Sequence, residues 1–521
     1  MSKKTAKSPL NYYSEMIPTL ADRAGSGALS SFGFSNPPLR AYLKKQFQKA
    51  IGEDGNFIGD PAFEAVFGWK SYGKKIEELE GELLHPKLIQ ALDSEESDLK
   101  KHFKPYLHQE TSWQILGDKT PKSVIISSGT GSGKTECFMI PILNRLIEER
   151  EQKKRQLKGV RTLFLYPLNA LINSQRERLS TWTKPFGKDI RFCLYNGLTP
   201  ERKKVEEKRE TPNQVIDRET LRENPPPILV TNPTMLEYML VRAKDNPIIE
   251  QSQGLLDTIV LDEAHTYIGS QAAEMTLLLR RVLHAFGKKP SEVRFVATSA
   301  TIGEEGEEAQ KKLKKFLQQI AGVDPKNVHV VEGKRDIPSL KLSESKNTTL
   351  AQLQEIEDPD ELYQELEKNK TARQIRSLFT NSNDVVTKLS NICSEVYKGN
   401  TTFSLDQQKK ALSWLDLLTS AVRKDGKAFL PVRAHIFQKT FAGIWACADK
   451  DCPAKDSNLQ SNQWPFGQVY LQNQSKCKCD APVYEVVSCK ECGEIYLDIE
   501  RTSDDKIINP ARDENFDEFE L

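Results

Sequence analysis

The chain has 521 residues, enough for two to four domains. Of these, 28% are charged, with Lys plus Arg (74) nearly balancing Asp plus Glu (73), for a net charge of +1. Such neutrality excludes a polybasic binder of phosphates in bulk, so any nucleic-acid contact must come from a local channel. The absence of an apolar run of about eighteen residues argues against a membrane span. Met1-Ser2-Lys3-Lys4 leads into polar text without an export signal, which predicts a cytoplasmic protein.

Residues 1–105 read as an N-terminal accessory region. Ala24 to Pro38, rich in Gly, Ser and Pro, reads as loop, and Leu39–Ala50 and Lys75–Leu92 carry helical spacing. From Lys122 short apolar runs recur, most of them followed by helical text: Ser123–Ser127, Thr162–Tyr166, Ile190–Tyr195, Ile228–Thr231, Thr258–Asp262 and Val293–Thr298. That alternation predicts an open α/β sheet paired in parallel through right-handed crossovers, with ligands at the carboxyl ends of its strands.

Three of those ends carry candidate chemistry. Ser128-Gly129-Thr130-Gly131-Ser132-Gly133-Lys134-Thr135 follows one strand and precedes a helix predicted over Glu136–Arg150. In that context it is a phosphate-binding P-loop, not a mere Gly/Ser turn. Its backbone N–H groups and the helix N-terminus cradle phosphates, Lys134 reaches the β- and γ-phosphates of ATP, and Thr135 ligates Mg2+. Asp262-Glu263-Ala264-His265 ends another strand. Asp262 fits a second Mg2+ contact, and Glu263 fits the group that polarises the attacking water. Ser299-Ala300-Thr301 ends a third strand, and its hydroxyls are candidates to bond His265 or the acidic motif.

With these motifs in order, Tyr106 to Pro338 resembles the superfamily 2 DEAD/DEAH-box helicases. Tyr106-Leu107-His108-Gln109 resembles the family's Q-motif, which implies that Gln109 reads adenine. Tyr166-Pro167-Leu168-Asn169-Ala170-Leu171 (with Gln175 and Arg178 beyond), Tyr195-Asn196-Gly197 and Thr231-Asn232-Pro233-Thr234-Met235-Leu236 resemble its strand-tracking motifs. TNPTMLEYMLVR, DEAHTYIGSQAAEMTLLLRRV and GNFIGDPAFEAVFGW, together with the cysteine text, are similar to large bacterial helicases. These are related to mitomycin-repair helicases and to helicase subunits of phage-defence systems. The resemblance implies a RecA-like ATP-binding domain over 106–340 and a DNA translocase or helicase using ATP and Mg2+. An RNA helicase, or an ATP-responsive adaptor without motor activity, is the alternative.

Residues 341–435 have helical spacing (Leu362/Leu366, Ile375/Leu378, Leu389/Ile392, Leu412/Leu415) and read as a helical region. Residues 436–500 form a cysteine-rich module, and 501–521 an acidic tail. In the module Cys447-x4-Cys452, Cys477-x-Cys479 and Cys489-x2-Cys492 are three close pairs. Two pairs make a tetrahedral thiolate site suited to structural Zn2+. The favoured set is Cys447, Cys452, Cys477 and Cys479, around a strand at Val469–Leu471, with Cys489/Cys492 able to replace one pair. An iron–sulfur site or unligated core cysteines remain open.

The family also carries arginines on a second RecA-like domain. Arg373, Arg376, Arg423 and Arg433 lie in other contexts, so that domain is expected in the rest of a longer chain or in a separate subunit, and this polypeptide alone is expected to hydrolyse ATP weakly. The basic clusters Lys153-Lys154-Arg155, Arg202-Lys203-Lys204 and Lys311-Lys312, interleaved with Glu and Gln, read as solvated helix faces.

Overall fold

The computed structural model describes residues 12–97, 99–129, 131–267, 269–299, 307–341, 346–380, 386–398, 400–489, 491–501 and 507–508. Thr130, Ala300 and Thr301 therefore lie outside the described residues. The chain divides into two compact units, Gly68–Asp336 and Met1–Phe67 with Ile337–Leu521, where the sequence drew its boundaries at 105 and 340.

The first unit is built on eight strands: β1 Ser123–Ser127, β2 Thr162–Leu165, β3 Phe192–Tyr195, β4 Gln214–Val215, β5 Ile228–Thr231, β6 Thr258–Leu261, β7 Arg294–Ser299 and β8 Val328–Glu332. They lie in the order β4-β3-β5-β2-β6-β7-β1-β8, and every pair is parallel. Both faces of the sheet are covered, which is why its inner strands read as unbroken apolar runs. Successive side chains go to opposite faces. Val124, Ile126, Phe164, Val260 and Val296 join one buried cluster, and Ile125, Leu163, Leu165, Ile259, Leu261 and Ala297 join the other. The predicted parallel α/β sheet is thus present, with two strands that sequence reading missed, β4 and β8.

Register aligns the carboxyl ends. Ser127 stands opposite Ser299, and Leu261 stands opposite Ala297. The strand before the phosphate loop and the strand before the acidic motif are therefore separated by β7 alone. That placement brings the motifs together.

The second unit has a largely helical core and an antiparallel β-module. Helices Tyr12–Ser31, Pro359–Lys368, Lys370–Thr380, Leu389–Val396 and Leu405–Ser420 share one cluster, which includes Ile17, Leu366, Ile375, Leu412 and Leu415. The helix from Tyr12 is tied down by Asp416, whose carboxylate accepts from the Tyr13 and Ser14 amides at 2.6 and 3.0 Å. Short strands Ala62–Ala65, Val386–Lys388 and Val432–His435 pair antiparallel beside it. The β-module orders Val469–Tyr470, Trp445–Cys447, Val483–Ser488 and Ile495–Asp498 in one antiparallel sheet.

Local expectations failed in two places. Ala24 to Ser31 is helix, not loop. Gly25 faces Phe47 so closely that a Cβ there would sit 3.1 Å from the Phe47 Cβ, so tertiary packing outweighs glycine's poor helix propensity. Lys75–Leu92 is also broken, into a 3-10 turn Ile76–Leu79 and a helix Pro86–Leu92. Pro86 opens that second helix at a position where its missing N–H costs nothing.

Candidate nucleotide site and cysteine centre

The phosphate loop runs from the end of β1 into helix Lys134–Lys153. Gly131 and Gly133 adopt left-handed φ values of 71° and 74°, and a Cβ on Gly133 would collide with the Gln109 amide. Only glycine meets both demands there. The Ser128 and Ser132 hydroxyls bond each other across the loop at 2.6 Å. Lys134 folds back over it, Nζ donating to the Ser128 carbonyl at 2.8 Å and the Gly129 carbonyl at 3.3 Å. Burial lowers the Lys134 pKa, and Glu263 and Asp262 act against that shift, so the three charged groups feel one another.

β7 supplies the link. Thr298 Oγ1 donates to Asp262 Oδ1 and accepts from the Glu263 amide at 3.1 Å. Burial raises the Asp262 carboxyl above its ordinary range, with the Thr298 bond pulling it back and the Glu263 charge adding to the rise. Glu263 itself has left-handed backbone (φ 50°), an unusual state for a residue with a Cβ, and its carboxylate meets His265 Nδ1 at 3.2 Å. Such strain collects at functional sites. The Tyr166 and Tyr267 hydroxyls are both buried without a hydrogen-bond partner. Burial raises both phenols, and the Asp262 carboxylate adds to each rise.

Beside the loop opens a pocket of about 400 Å³, lined among others by Leu99, Phe103, Tyr106, Gln109, Thr135 and Arg178. Gln109 is engaged locally: its Oε1 accepts from the Tyr106 amide at 2.9 Å, and its Nε2 donates to the Gly133 carbonyl at 3.3 Å. His108 stacks on Tyr106 and bonds the Ser132 carbonyl at 2.7 Å. Of the residues expected at the nucleotide, the geometry gathers Gln109, Ser128, Gly129, Gly131, Ser132, Gly133, Lys134, Thr135, Asp262, Glu263 and His265 at one end of the sheet. Thr130 lies outside the described residues. The arrangement suits a polyphosphate and a hard cation: a positive loop faces two carboxylates across one strand.

The motifs that follow β2, β3 and β5 also stand at the carboxyl ends of their strands. Asn232 caps helix Pro233–Val241 by accepting from the Met235 amide at 2.7 Å, and it donates to Asn169 Oδ1 at 2.9 Å. Leu168 and Leu198 beside them are exposed.

In the other unit, the sulfur atoms of Cys447, Cys452, Cys477 and Cys479 all lie within 4.8 Å of one another. The closest pairs are Cys447–Cys479 at 3.6 Å and Cys452–Cys477 at 3.5 Å. A tetrahedron with metal–sulfur bonds of about 2.3 Å has edges of about 3.8 Å, so the four thiols fit one Zn2+. Gly467 closes the cage: a Cβ there would lie 2.8 Å from the Cβ atoms of both Cys447 and Cys452. Tyr470 places its hydroxyl 3.1 Å from the Cys477 sulfur, within reach of a bond to a ligand thiolate. Cys489 and Cys492, also expected as ligands, are not part of this group. They sit in the turn between strands Val483–Ser488 and Ile495–Asp498, where the Cys489 amide donates to the Glu494 carbonyl at 2.8 Å. The four that cluster are the set favoured in the sequence.

Among the described residues no helix is long and apolar enough to cross a membrane. Arg376, set aside in the sequence, donates to the Pro338 carbonyl at 2.5 Å and stacks on Phe429 in the second unit.

Residues 106–309 match the DEAD/DEAH box helicase family, and 469–521 match the YjiV N-terminal domain. The chain is 25% identical over 529 residues to Druantia protein DruE of Escherichia coli (strain UMEA 4076-1), covering 76% of this chain and 28% of that protein. It is 29% identical over 200 residues to the uncharacterized ATP-dependent helicase MJ1574 of Methanocaldococcus jannaschii, covering 38% of this chain and 26% of that one. With the uncharacterized ATP-dependent helicase YprA of Bacillus subtilis (strain 168) it shares 29% over 204 residues, covering 38% and 23%. The chain thus spans about a quarter of the length of these curated relatives. Among solved structures, the DUF1998 helicase MrfA bound to DNA aligns with TM-score 0.36 and 23% identity, covering 52% of this chain and 32% of that one. Residues 106–309 are thus the part of the chain that is similar to the DEAD/DEAH box helicases.

Proposed function

We propose that this chain is the ATP-binding part of a cytoplasmic DNA translocase or helicase. The observation that carries the reading is the confrontation of Lys134 with Asp262 and Glu263 across β7, their charges acting on one another over a loop shaped for phosphates. Lys134 draws charge from the β- and γ-phosphates, and Glu263, oriented by its bond to His265, turns the attacking water toward the γ-phosphorus. Thr135 and Asp262 would hold Mg2+, which neutralises charge developing on the phosphate oxygens. Gln109 would read adenine from the wall of the adjoining pocket. Asn169, Asn196 and Asn232, on loops and helix starts at the carboxyl ends of β2, β3 and β5, would hold the sugar–phosphate backbone of a single strand.

An arginine finger that stabilises the charge of the phosphoryl-transfer transition state accelerates hydrolysis by about 10³–10⁵. We assign that role to a second RecA-like domain in the remainder of a longer protein or in a partner subunit. A structural Zn2+ at Cys447, Cys452, Cys477 and Cys479 would hold the β-module.

The test is ATP hydrolysis by the full chain with Mg2+, alone and with single-stranded DNA or RNA of equal length, before and after a second RecA-like domain from a full-length relative is added. Tight nucleotide binding, slow turnover alone and DNA-dependent acceleration on mixing are expected. A chain with no affinity for ATP sinks the reading, and acceleration by RNA alone replaces its DNA part.

A further inference from the structure

The chain enters the P-loop unit at Gly68 and leaves it at Asp336, and these two segments pair with each other. The Lys70 amide donates to the Lys334 carbonyl at 2.8 Å, and the Asp336 amide donates to the Gly68 carbonyl at 2.7 Å. Trp69 and Arg335 are the directly opposed residues of that bridge. The Arg335 guanidinium carbon lies 3.6 Å from the centroid of the Trp69 ring, a close cation–π stack.

This stack is built against the phosphate loop. A Cβ on Gly129 would stand 3.2 Å from Arg335 Nη2 and 3.5 Å from the Trp69 ring, so the absence of a side chain at Gly129 lets the guanidinium come up to the loop. Gly333, two residues before Arg335, donates its amide to the Ser127 carbonyl at 3.0 Å. A Cβ there would stand 2.7 Å from the Ser128 Cβ and equally close to Trp69. Trp69 in turn meets His108 edge to face at 5.6 Å, and the His108 ring bonds the Ser132 carbonyl. Three elements thus fix one cation beside Ser128 and Gly129.

That stretch of loop is the one whose carbonyls hold Lys134 Nζ, the group that in a P-loop meets the β- and γ-phosphates. A guanidinium stacked by its face carries its N–H donors in the ring plane, the geometry that pairs with phosphate oxygens two at a time. We propose that Arg335 is a second cationic contact to the terminal phosphate of ATP, presented in cis by Trp69 and distinguishing nucleoside triphosphate from diphosphate. It lies on the segment leaving the unit, so the terminal phosphate would be felt where the two paired segments meet. The inference rests on the reading of Ser128 to Thr135 as an ATP site.

The test is equilibrium binding of Mg-ADP and Mg-AMP-PNP to the full chain by calorimetry, for wild type, Arg335→Ala and Arg335→Gln. Loss of a charged hydrogen bond should weaken AMP-PNP by about tenfold to hundredfold in either variant, while ADP affinity stays within about threefold. Arg335→Gln keeps a stem and a planar end on Trp69, so it decides the matter if Arg335→Ala binds neither nucleotide through misfolding. Equal weakening of both nucleotides in Arg335→Gln, or of neither, overturns the role for Arg335. A wild-type chain that binds neither nucleotide overturns the ATP-site reading instead.

Discussion

Thr298→Val isolates the bond that ties the sheet to the acidic motif. The side chain keeps its shape and its preference for a strand, and it loses one hydroxyl that makes two hydrogen bonds, to Asp262 and from the Glu263 amide. A bond to a charged carboxylate contributes about 1.5–3 kcal/mol and a neutral one about 0.5–1.5, so the loss should be about 2–4.5 kcal/mol at neutral pH. The pH dependence has a definite sign. Burial already raises Asp262 above its ordinary 3.8, so the folded state holds this proton more tightly than the unfolded state does. Asp262 therefore costs stability as pH rises from 3.8 through its folded pKa, and the cost is complete above that value. Removing the hydroxyl raises the folded pKa further. The deficit of the variant against wild type should be largest at neutral pH and shrink as pH falls and Asp262 takes up its proton in both proteins. Scanning calorimetry reads this directly, using the transition that moves with added nucleotide as the marker of the P-loop unit. A variant that melts with wild type at neutral pH, or a deficit that grows on acidification, would refute the reasoning.

Lys134→Ala should abolish ATP binding, measured by calorimetry, and leave the nucleotide-free melting temperature nearly unchanged, because burial already makes the Lys134 charge costly to hold. The four-thiol centre should bind one Zn2+ per chain, counted by atomic absorption. Cys452→Ser should release that metal and unfold the β-module, since structural Zn2+ contributes about 10–16 kcal/mol in small modules. Cys489→Ser should leave the metal content unchanged, and equal loss of zinc from both variants would show that the grouping is wrong.

The parallel sheet was legible because strands buried on both faces are mostly apolar, and the motifs were legible because they stand at the ends of such strands. The strand β8 escaped because its text, Val328-His329-Val330-Val331-Glu332, belongs to an edge strand on which His329, Val330 and Glu332 are only half buried, and the two residues of β4 carry too little pattern to register. The helix through Gly25 escaped for a different reason, since what permits it is the packing of Phe47, a contact no local window contains. Asp416 holding the amides of Tyr13 and Ser14 is the same lesson over a far greater separation. The first seventy residues read as a featureless accessory layer because their core partners lie beyond residue 340. Cysteine spacing gave three pairs and a favoured set of four, and the sheet pairing of Trp445–Cys447 with Val469–Tyr470 and Val483–Ser488 brings those two pairs face to face.

Arg335 marks the boundary of what sequence reading can reach at the site itself. Apart from Gln109, every residue recognised there belongs to a run of small, acidic or basic residues at a strand end, and each run announces its chemistry by composition. Arg335 and Trp69 belong to no such run. They come together because the chain closes on itself where it enters and leaves the unit, and they approach the loop because Gly129 and Gly333 leave room. In the sequence the only trace is Gly129 itself, a glycine more than the turn conformation requires, since the left-handed positions are Gly131 and Gly133. A loop glycine whose backbone does not need it points to a neighbour that must come close, and here that neighbour is a stacked cation beside the place where Lys134 is held.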